Sequence, residues 1–382
     1  MNTQKNKEKH WVGSWLSSQQ LVEKENMPPE PGLSNNTLRQ CFRTTIGGEQ
    51  IRMKLSNQYG KTAMIINSVH LAVSTGKSSI NPDTDRVLTF AGKETLIIPA
   101  GEIAFSDTIE YNLPELTIMT ITIYFSDTPT DLTGHPGSRT TSYLQKGNTV
   151  DSANMPSAVK TDHWYVIAGI DVLTEDFKKA VVTLGDSITD GRGSTTNENN
   201  RWPDNLAKRL HQNNATSHIA VLNQGIGGNA VLAGGLGPTA LSRFHRDVLQ
   251  ENGVRYLIIF EGVNDIGGSN STLETAENLI NAYKLFITKS HEENIIVYGA
   301  TITPFGDSQY FTDINEEIRQ RVNKWIRTSG KFDAVIDFDA AVRNPESPDK
   351  LLSPYDCGDH LHLSPEGYKR LAEIIDLNLF VK

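Results

Sequence analysis

Ala180-Val-Val-Thr-Leu184 is a short apolar run that stops at Gly185-Asp186-Ser187-Ile188-Thr189, and the pattern it begins decides the fold. Runs of the same kind follow at His218-Ile-Ala-Val-Leu222, Arg255-Tyr-Leu-Ile-Ile-Phe260, Asn294-Ile-Ile-Val-Tyr298 and Ala334-Val-Ile-Asp-Phe338. Between them, apolar residues recur at helical spacing, as in Leu273, Ala276, Leu279, Ile280, Tyr283 and Ile287, or Ile314, Ile318, Val322 and Trp325. A last helix is expected from Pro365 through Leu371, Ile374, Ile375 and Leu379, with Ser364-Pro365-Glu366 as its cap and first turn. Apolar strands alternating with amphipathic helices predict a parallel sheet covered on both faces. The sites of such sheets lie beyond the carboxyl ends of the strands.

Upstream of residue 179 the period changes. Ile51, Met53 and Leu55 alternate with Arg52, Lys54 and Ser56; Val69, Leu71 and Val73 alternate with His70, Ala72 and Ser74. Met119, Ile121, Ile123 and Phe125 follow the same rule. Period-two alternation marks half-buried antiparallel strands, and many of them without a helical stripe predict a β-sandwich or jelly roll. The expectation is therefore two domains, residues 1–178 all-β and residues 179–382 α/β, joined at Glu175-Asp-Phe-Lys-Lys179. A length of 382 residues accommodates both.

The formal charge of −9 argues against a general nucleic-acid partner, because neutralising phosphates needs a basic surface. No apolar run approaches the ~20 residues of a spanning helix, so membrane insertion is not expected. The polar start, Met1-Asn-Thr-Gln-Lys-Asn-Lys-Glu-Lys-His10, is no secretory leader, which points to the cytoplasm, or to secretion if a leader has been removed. Cys41 and Cys357 are too few for a disulfide framework and form no Cys-x-x-Cys pair.

Four loops fall at strand ends or before the last helix: Gly185-Asp186-Ser187, Gly225-Ile-Gly227-Gly228-Asn229, Glu261-Gly262-Val263-Asn264-Asp265 and Asp359-His360-Leu361-His362. Ester hydrolysis needs a nucleophile, a base, a group orienting that base, and donors for the oxyanion. Ser187 follows a buried strand and can present its hydroxyl at the sheet edge. Asp359 and His362 are three apart and can face the same way, carboxylate on one ring nitrogen and Ser187 on the other. Gly228 has no Cβ to block its N–H, and the Asn264 amide is a neutral donor at any working pH.

These four blocks, in this order, resemble those of the SGNH (GDSL-type) hydrolases over residues 180–382. The resemblance implies a flavodoxin-like three-layer domain, with Ser187 as nucleophile, His362 as base and Asp359 as third triad member. It implies Ser187, Gly228 and Asn264 as the oxyanion hole. Trp11-Val-Gly-Ser-Trp15 and Arg52-Met-Lys-Leu-Ser-Asn57 resemble a two-domain branch with a β-domain in front, often linked to xylan and other carbohydrate esters. The function so implied is a serine esterase for short acyl groups, O-acetyl on carbohydrate first. A lysophospholipase-like lipid or thioester hydrolase and a non-catalytic glycan-binding protein are the alternatives. The partner expected is a small-molecule or glycan acyl ester, with no cofactor and no metal.

Other readings of the same residues fail on the sequence itself. Gly225-Ile-Gly-Gly-Asn-Ala230 fits a dinucleotide fingerprint, but Gly234-Gly235-Leu-Gly237-Pro238 disturbs the helix it needs and no acidic residue ends a next strand. His360-x-His362 lacks a third metal ligand nearby. No Gly-x-Ser-x-Gly elbow occurs, which disfavours the α/β-hydrolase fold. Asp186, Trp202, Phe305 and His360 are further candidates for substrate contact. For the two aromatics the alternative is packing, and for His360 it is an exposed surface position. Trp11, Trp15 and Trp164 are read as core anchors rather than a sugar platform.

Overall fold

The computed structural model describes residues 9–174, 177–268 and 271–381. In the N-terminal half the alternating segments form two antiparallel sheets. One runs His10–Leu16, Ile167–Thr174, Gly48–Ser56, Ile109–Leu113 in space. The other runs Val159–Thr161, Ser142–Lys146, Asn36–Arg43, Ile118–Asp127, Met64–Gly76, Ser79–Ile80. The alternating apolar residues Ile51, Met53, Leu55, Met119, Ile121 and Ile123 are all buried. Trp15 and Phe42, one from each sheet, stack at 4.4 Å, and Trp164 meets Trp15 edge-on at 5.0 Å, so Trp15 and Trp164 are core anchors. A third, small sheet of Gln20–Leu21, Thr133–His135 and Trp164–Tyr165 extends toward the other half of the molecule.

The second half holds a five-stranded sheet in the order Ile219–Gly225, Lys179–Gly185, Val254–Phe260, Ile296–Ala300, Ala334–Ile336, with every neighbour parallel. By sequence this is the flavodoxin-like order 2-1-3-4-5. Its strands are apolar runs because both faces are covered: Ala180, Val181, Val182 and Leu184 have no exposed surface. Helices Trp202–His211 and Pro365–Glu373 pack together, as do Leu273–Glu292 and Asp313–Thr328. The connections leave the first strand in opposite directions, so the crevice of the sheet opens at its carboxyl end, at Gly185.

Two elements depart from the sequence reading. The strand expected through Phe338 stops at Ile336, because the Asp337 side chain accepts the Ala340 N–H and caps a short helix instead. The last helix ends at Glu373, and Leu379 lies in a separate 3-10 turn capped by Asp376. Tyr256 Oη donates to Phe380 O at 3.0 Å, holding that turn onto the sheet. The helix Ala240–Phe244 continues into a widened helical turn over His245–Leu249 that carries Asp247, closed by a Gln250 N–H to His245 O bond of 3.0 Å.

One hydrophobic core runs through both halves. Across the boundary, Gly13 N–H donates to Asn252 O at 3.0 Å, and Lys54 pairs with Glu251 at 2.8 Å. The expected link at 175–179 begins with Glu175 and Asp176, which lie outside the described residues, as do residues 1–8 of the polar start.

Candidate active site

The strand Lys179–Gly185 ends where a side chain has no room: a Cβ on Gly185 would lie 2.1 Å from Thr189 Oγ1. The chain then turns into the short helix Ser187–Asp190, whose cap is Asp186, its carboxylate accepting the Ile188 N–H at 2.9 Å. Ser187 is thereby fixed as the first helical residue at the crevice, its Oγ 2.8 Å from His362 Nε2.

Asp359 and His362 face each other through a tight turn rather than a helix. Asp359 Oδ1 accepts the N–H groups of Leu361 (3.1 Å) and His362 (2.8 Å), and Oδ2 lies 2.7 Å from His362 Nδ1. A carboxylate accepts, so Nδ1 donates and Nε2 turns its lone pair to the Ser187 hydroxyl. Burial alone would raise the Asp359 carboxyl, but the backbone and ring N–H groups of His362 hold it at about 2. Burial pushes the His362 imidazole below its usual 6.5, with Asp359 pulling the other way. This arrangement can deprotonate a hydroxyl and return the proton to a leaving group.

Gly228 has φ +69°, the left-handed region, and a Cβ there would lie 3.0 Å from the Leu236 side chain. Among the described residues, neither the Gly228 nor the Ser187 N–H has a protein acceptor. Asn264 Nδ2 donates to Asn229 O at 2.8 Å, which leaves its second hydrogen for the cleft that Asn264 lines. Tyr310 Oη donates to Asn264 Oδ1 at 2.8 Å and fixes which end of the amide is which. Burial raises the Tyr310 phenol, so the donated proton stays in place.

The structure brings Ser187, Asp359, His362, Gly228 and Asn264 together around one cleft of about 580 Å³. The other four candidates fall elsewhere. Trp202 and Phe305 have no exposed surface: the Trp202 ring packs on Phe338 at 5.4 Å, and Phe305 lies under the Arg319 guanidinium. Asp186 is buried beneath the serine as a helix cap, not in the cleft wall. His360 is exposed beside the turn, its Nδ1 2.6 Å from Asp356 Oδ2, and does not line the cleft. Asp356, Cys357 and Asp359 are grouped closely enough to consider a metal, but Asp356 and Asp359 are already bonded to His360 and His362.

Sequence reasoning missed the supports. The Arg243 side chain is fully buried and lies under the site. It donates to Gly185 O (3.0 Å), Gln224 O (2.7 Å), Asn229 Oδ1 (3.0 Å) and Asp247 Oδ2 (3.0 Å), and reaches Glu261 Oε1 at 3.4 Å. It therefore gathers the carboxyl ends of the first three parallel strands. Burial, with their mutual repulsion, raises the carboxyls of Asp186 and Glu261 around it. Below the serine helix, His135 of the N-terminal half reaches Asp190 Oδ1 at 2.8 Å, and Gly137 lies so close that a Cβ would be 1.8 Å from Asp190 Oδ2. No local pattern marks any of these.

The flavodoxin-like sheet carries Ser187, bonded to His362, at its switch point and has no Gly-x-Ser-x-Gly elbow, unlike an α/β-hydrolase. Residues 183–370 match the model of the GDSL-like lipase/acylhydrolase family, and the chain carries an ester-hydrolase domain of that family there. The match leaves the N-terminal half outside it. Among solved structures the chain is similar to an acetyl xylan esterase, at 24% identity over 51% of this chain and 96% of that one, TM-score 0.40. It is also similar to a GDSL-like lipase from Bacteroides thetaiotaomicron, at 20% identity over 51% and 85%, TM-score 0.37. An acetylxylan esterase from Geobacillus stearothermophilus, solved as a catalytic mutant, aligns at 18% identity over 51% and 91%, TM-score 0.40. No curated protein matches the chain.

Proposed function

We propose that the protein is a serine esterase that removes short acyl groups, acetyl foremost, from a hydroxyl-rich alcohol such as a carbohydrate. The observation that carries the chemistry is the unbroken line Ser187 Oγ, His362 Nε2, His362 Nδ1, Asp359 Oδ2, with contacts of 2.8 and 2.7 Å. Ser187 Oγ attacks the ester carbonyl as His362 Nε2 takes its proton. The carbonyl oxygen becomes an anion held by the N–H groups of Ser187 and Gly228 and by Asn264 Nδ2. As the carbon–oxygen bond breaks, His362 gives the proton to the leaving alcohol. Water, deprotonated by the same nitrogen, then releases the acid and restores the serine.

Polar side chains in the cleft wall support the short-acyl reading: Gln20, Glu23, Asn26, Arg139, Asp307 and Gln309 line it. One apolar residue favours a second reading: Leu236 is 51 % exposed at the cleft and could meet a longer acyl chain. Comparing p-nitrophenyl acetate with the octanoate decides between them. The first reading expects the acetate to have the higher kcat/KM; a strong preference for octanoate supports the lipid hydrolase and contradicts it.

The oxyanion role of Asn264 has its own test. Asn264→Ala should lower kcat by about 10²–10³-fold. Tyr310→Phe should cost less, about tenfold, because it frees the amide without removing it. In the Asn264→Ala background the tyrosine substitution should cost nothing further, since the two act through one group. Additive losses would contradict the link.

The pH profile follows from the lowered imidazole. Protonation removes the Nε2 lone pair, so activity falls as pH drops through the His362 pKa. That pKa lies below 6.5, so the acid limb of kcat/KM should lie below 6.5 as well. Asp359, held at about 2, stays ionised throughout. An acid limb above 6.5 would contradict a buried base.

A further inference from the structure

The cleft has a wall that the hydrolase domain does not supply. Gln20, Glu23, Asn26, Pro136, Arg139 and His163, all from the N-terminal half, line it beside Ser187 and His362. We propose that this wall is the subsite for the alcohol part of the ester, where Glu23 and His163 accept hydrogen bonds from neighbouring hydroxyls and Arg139 donates to them. The proposal rests on the esterase reading above and names the residues that select its substrate.

The wall is held rigidly against the catalytic helix. Gln20 sits in the small sheet that pairs Gln20–Leu21 with Thr133–His135 and Trp164–Tyr165. From that sheet His135 bonds Asp190, the last residue of the serine helix, at 2.8 Å. Gly137 follows two residues on, its backbone pressed onto the same carboxylate. Arg139 is then presented with φ +49°, its Nη2 3.5 Å from Asp190 Oδ2. A non-glycine residue in that region is strained, and such strain persists where surrounding contacts impose it. Arg139 lines the same cleft as His362, the base that gives the departing alcohol its proton.

The polar atoms on the wall are of the kind that read hydroxyls. Glu23 Oε1 accepts from Gln20 Nε2 (2.5 Å) and Oε2 from Asn26 Nδ2 (3.0 Å), so two neutral amides aim the carboxylate. An ionised carboxylate has about four acceptor positions, which leaves room for two hydroxyl donors. His163 Nδ1 lies 2.7 Å from Pro136 O, a group that can only accept, so Nδ1 carries the hydrogen. In the neutral ring Nε2 is then an acceptor. Acceptors beside a guanidinium fork suit vicinal hydroxyls, each of which both donates and accepts. Pro136 is the one apolar side chain among these six, which offers little to a lipid tail.

The test compares two acetates that differ in the alcohol: p-nitrophenyl acetate and an acetylated xylo-oligosaccharide. The readout is the ratio of kcat/KM for the sugar acetate over that for the aryl acetate. In Glu23→Ala and in His163→Ala this ratio should fall about tenfold or more, the usual effect of losing a hydrogen bond that involves a charged or well-placed partner. A parallel loss on both esters leaves the ratio unchanged, makes the wall a structural support and overturns the proposal. An unchanged ratio with full activity overturns it too. Wild-type protein that turns over the aryl acetate but no sugar acetate refutes the carbohydrate reading itself, and the subsite with it.

Discussion

Ser187→Ala is expected to lower kcat on p-nitrophenyl acetate by about 10⁴-fold or more, the scale at which single members of serine triads fail. The reason is that no other group can take over the attack. Cys357, the exposed thiol nearest in sequence to the base, has its pKa raised by burial and by Asp359, so it is a poor thiolate at neutral pH. The fold should not notice the change. The serine side chain makes one hydrogen bond, to His362, and the helix it starts is capped by Asp186 instead. Thermal unfolding of the variant should match the wild type to within about 1 kcal/mol. Substantial residual activity in a folded variant would contradict the assignment of the nucleophile.

Arg243→Met should have the largest effect on stability, a loss of about 3–5 kcal/mol, because it breaks a buried charge network from one side. Methionine fills similar space but leaves Glu261 without its cation, leaves Asp247 with Arg246 alone, and takes one donor each from the strand-end carbonyls of Gly185 and Gln224. Asn229 Oδ1 loses its donor as well, though Asn229 Nδ2 keeps Leu236 O and Pro238 O, and the Asn229 carbonyl is what holds the Asn264 amide. The expected result is a lower unfolding midpoint in urea and, in the protein that remains folded, a weaker oxyanion hole. Arg243→Lys should not restore it, because an ammonium cannot span the five separate acceptors of the fork. A midpoint equal to wild type would show that the network contributes nothing net.

The parallel sheet was legible because a strand buried on both faces writes an unbroken apolar run, and its ends coincide with short polar motifs. Ser187, Gly228 and Asn264 each sit within a few residues of such a run, and the Asp359–His362 turn lies just before the last helix, so local sequence carried them. Trp202 and Phe305 misled because an aromatic next to proline reads equally well as core or as cleft wall, and both are core. Nothing in the local sequence marks Arg243; only the sheet topology shows three strand ends converging on it. Tyr310 and Asn264 are 46 residues apart, and the bond between them leaves no periodic trace. The wall from the N-terminal half was beyond reach for the same reason, since residues 20–26, 136–139 and 163 meet the site only through tertiary packing.

The most direct measurement is the mass of the intact protein, followed by peptide mapping, after reaction with a fluorophosphonate. Activated Ser187 predicts a single covalent adduct on the peptide containing Gly185-Asp186-Ser187, absent from Ser187→Ala and formed far more slowly in His362→Ala. An adduct on another residue, or labelling that persists in Ser187→Ala, would contradict the account.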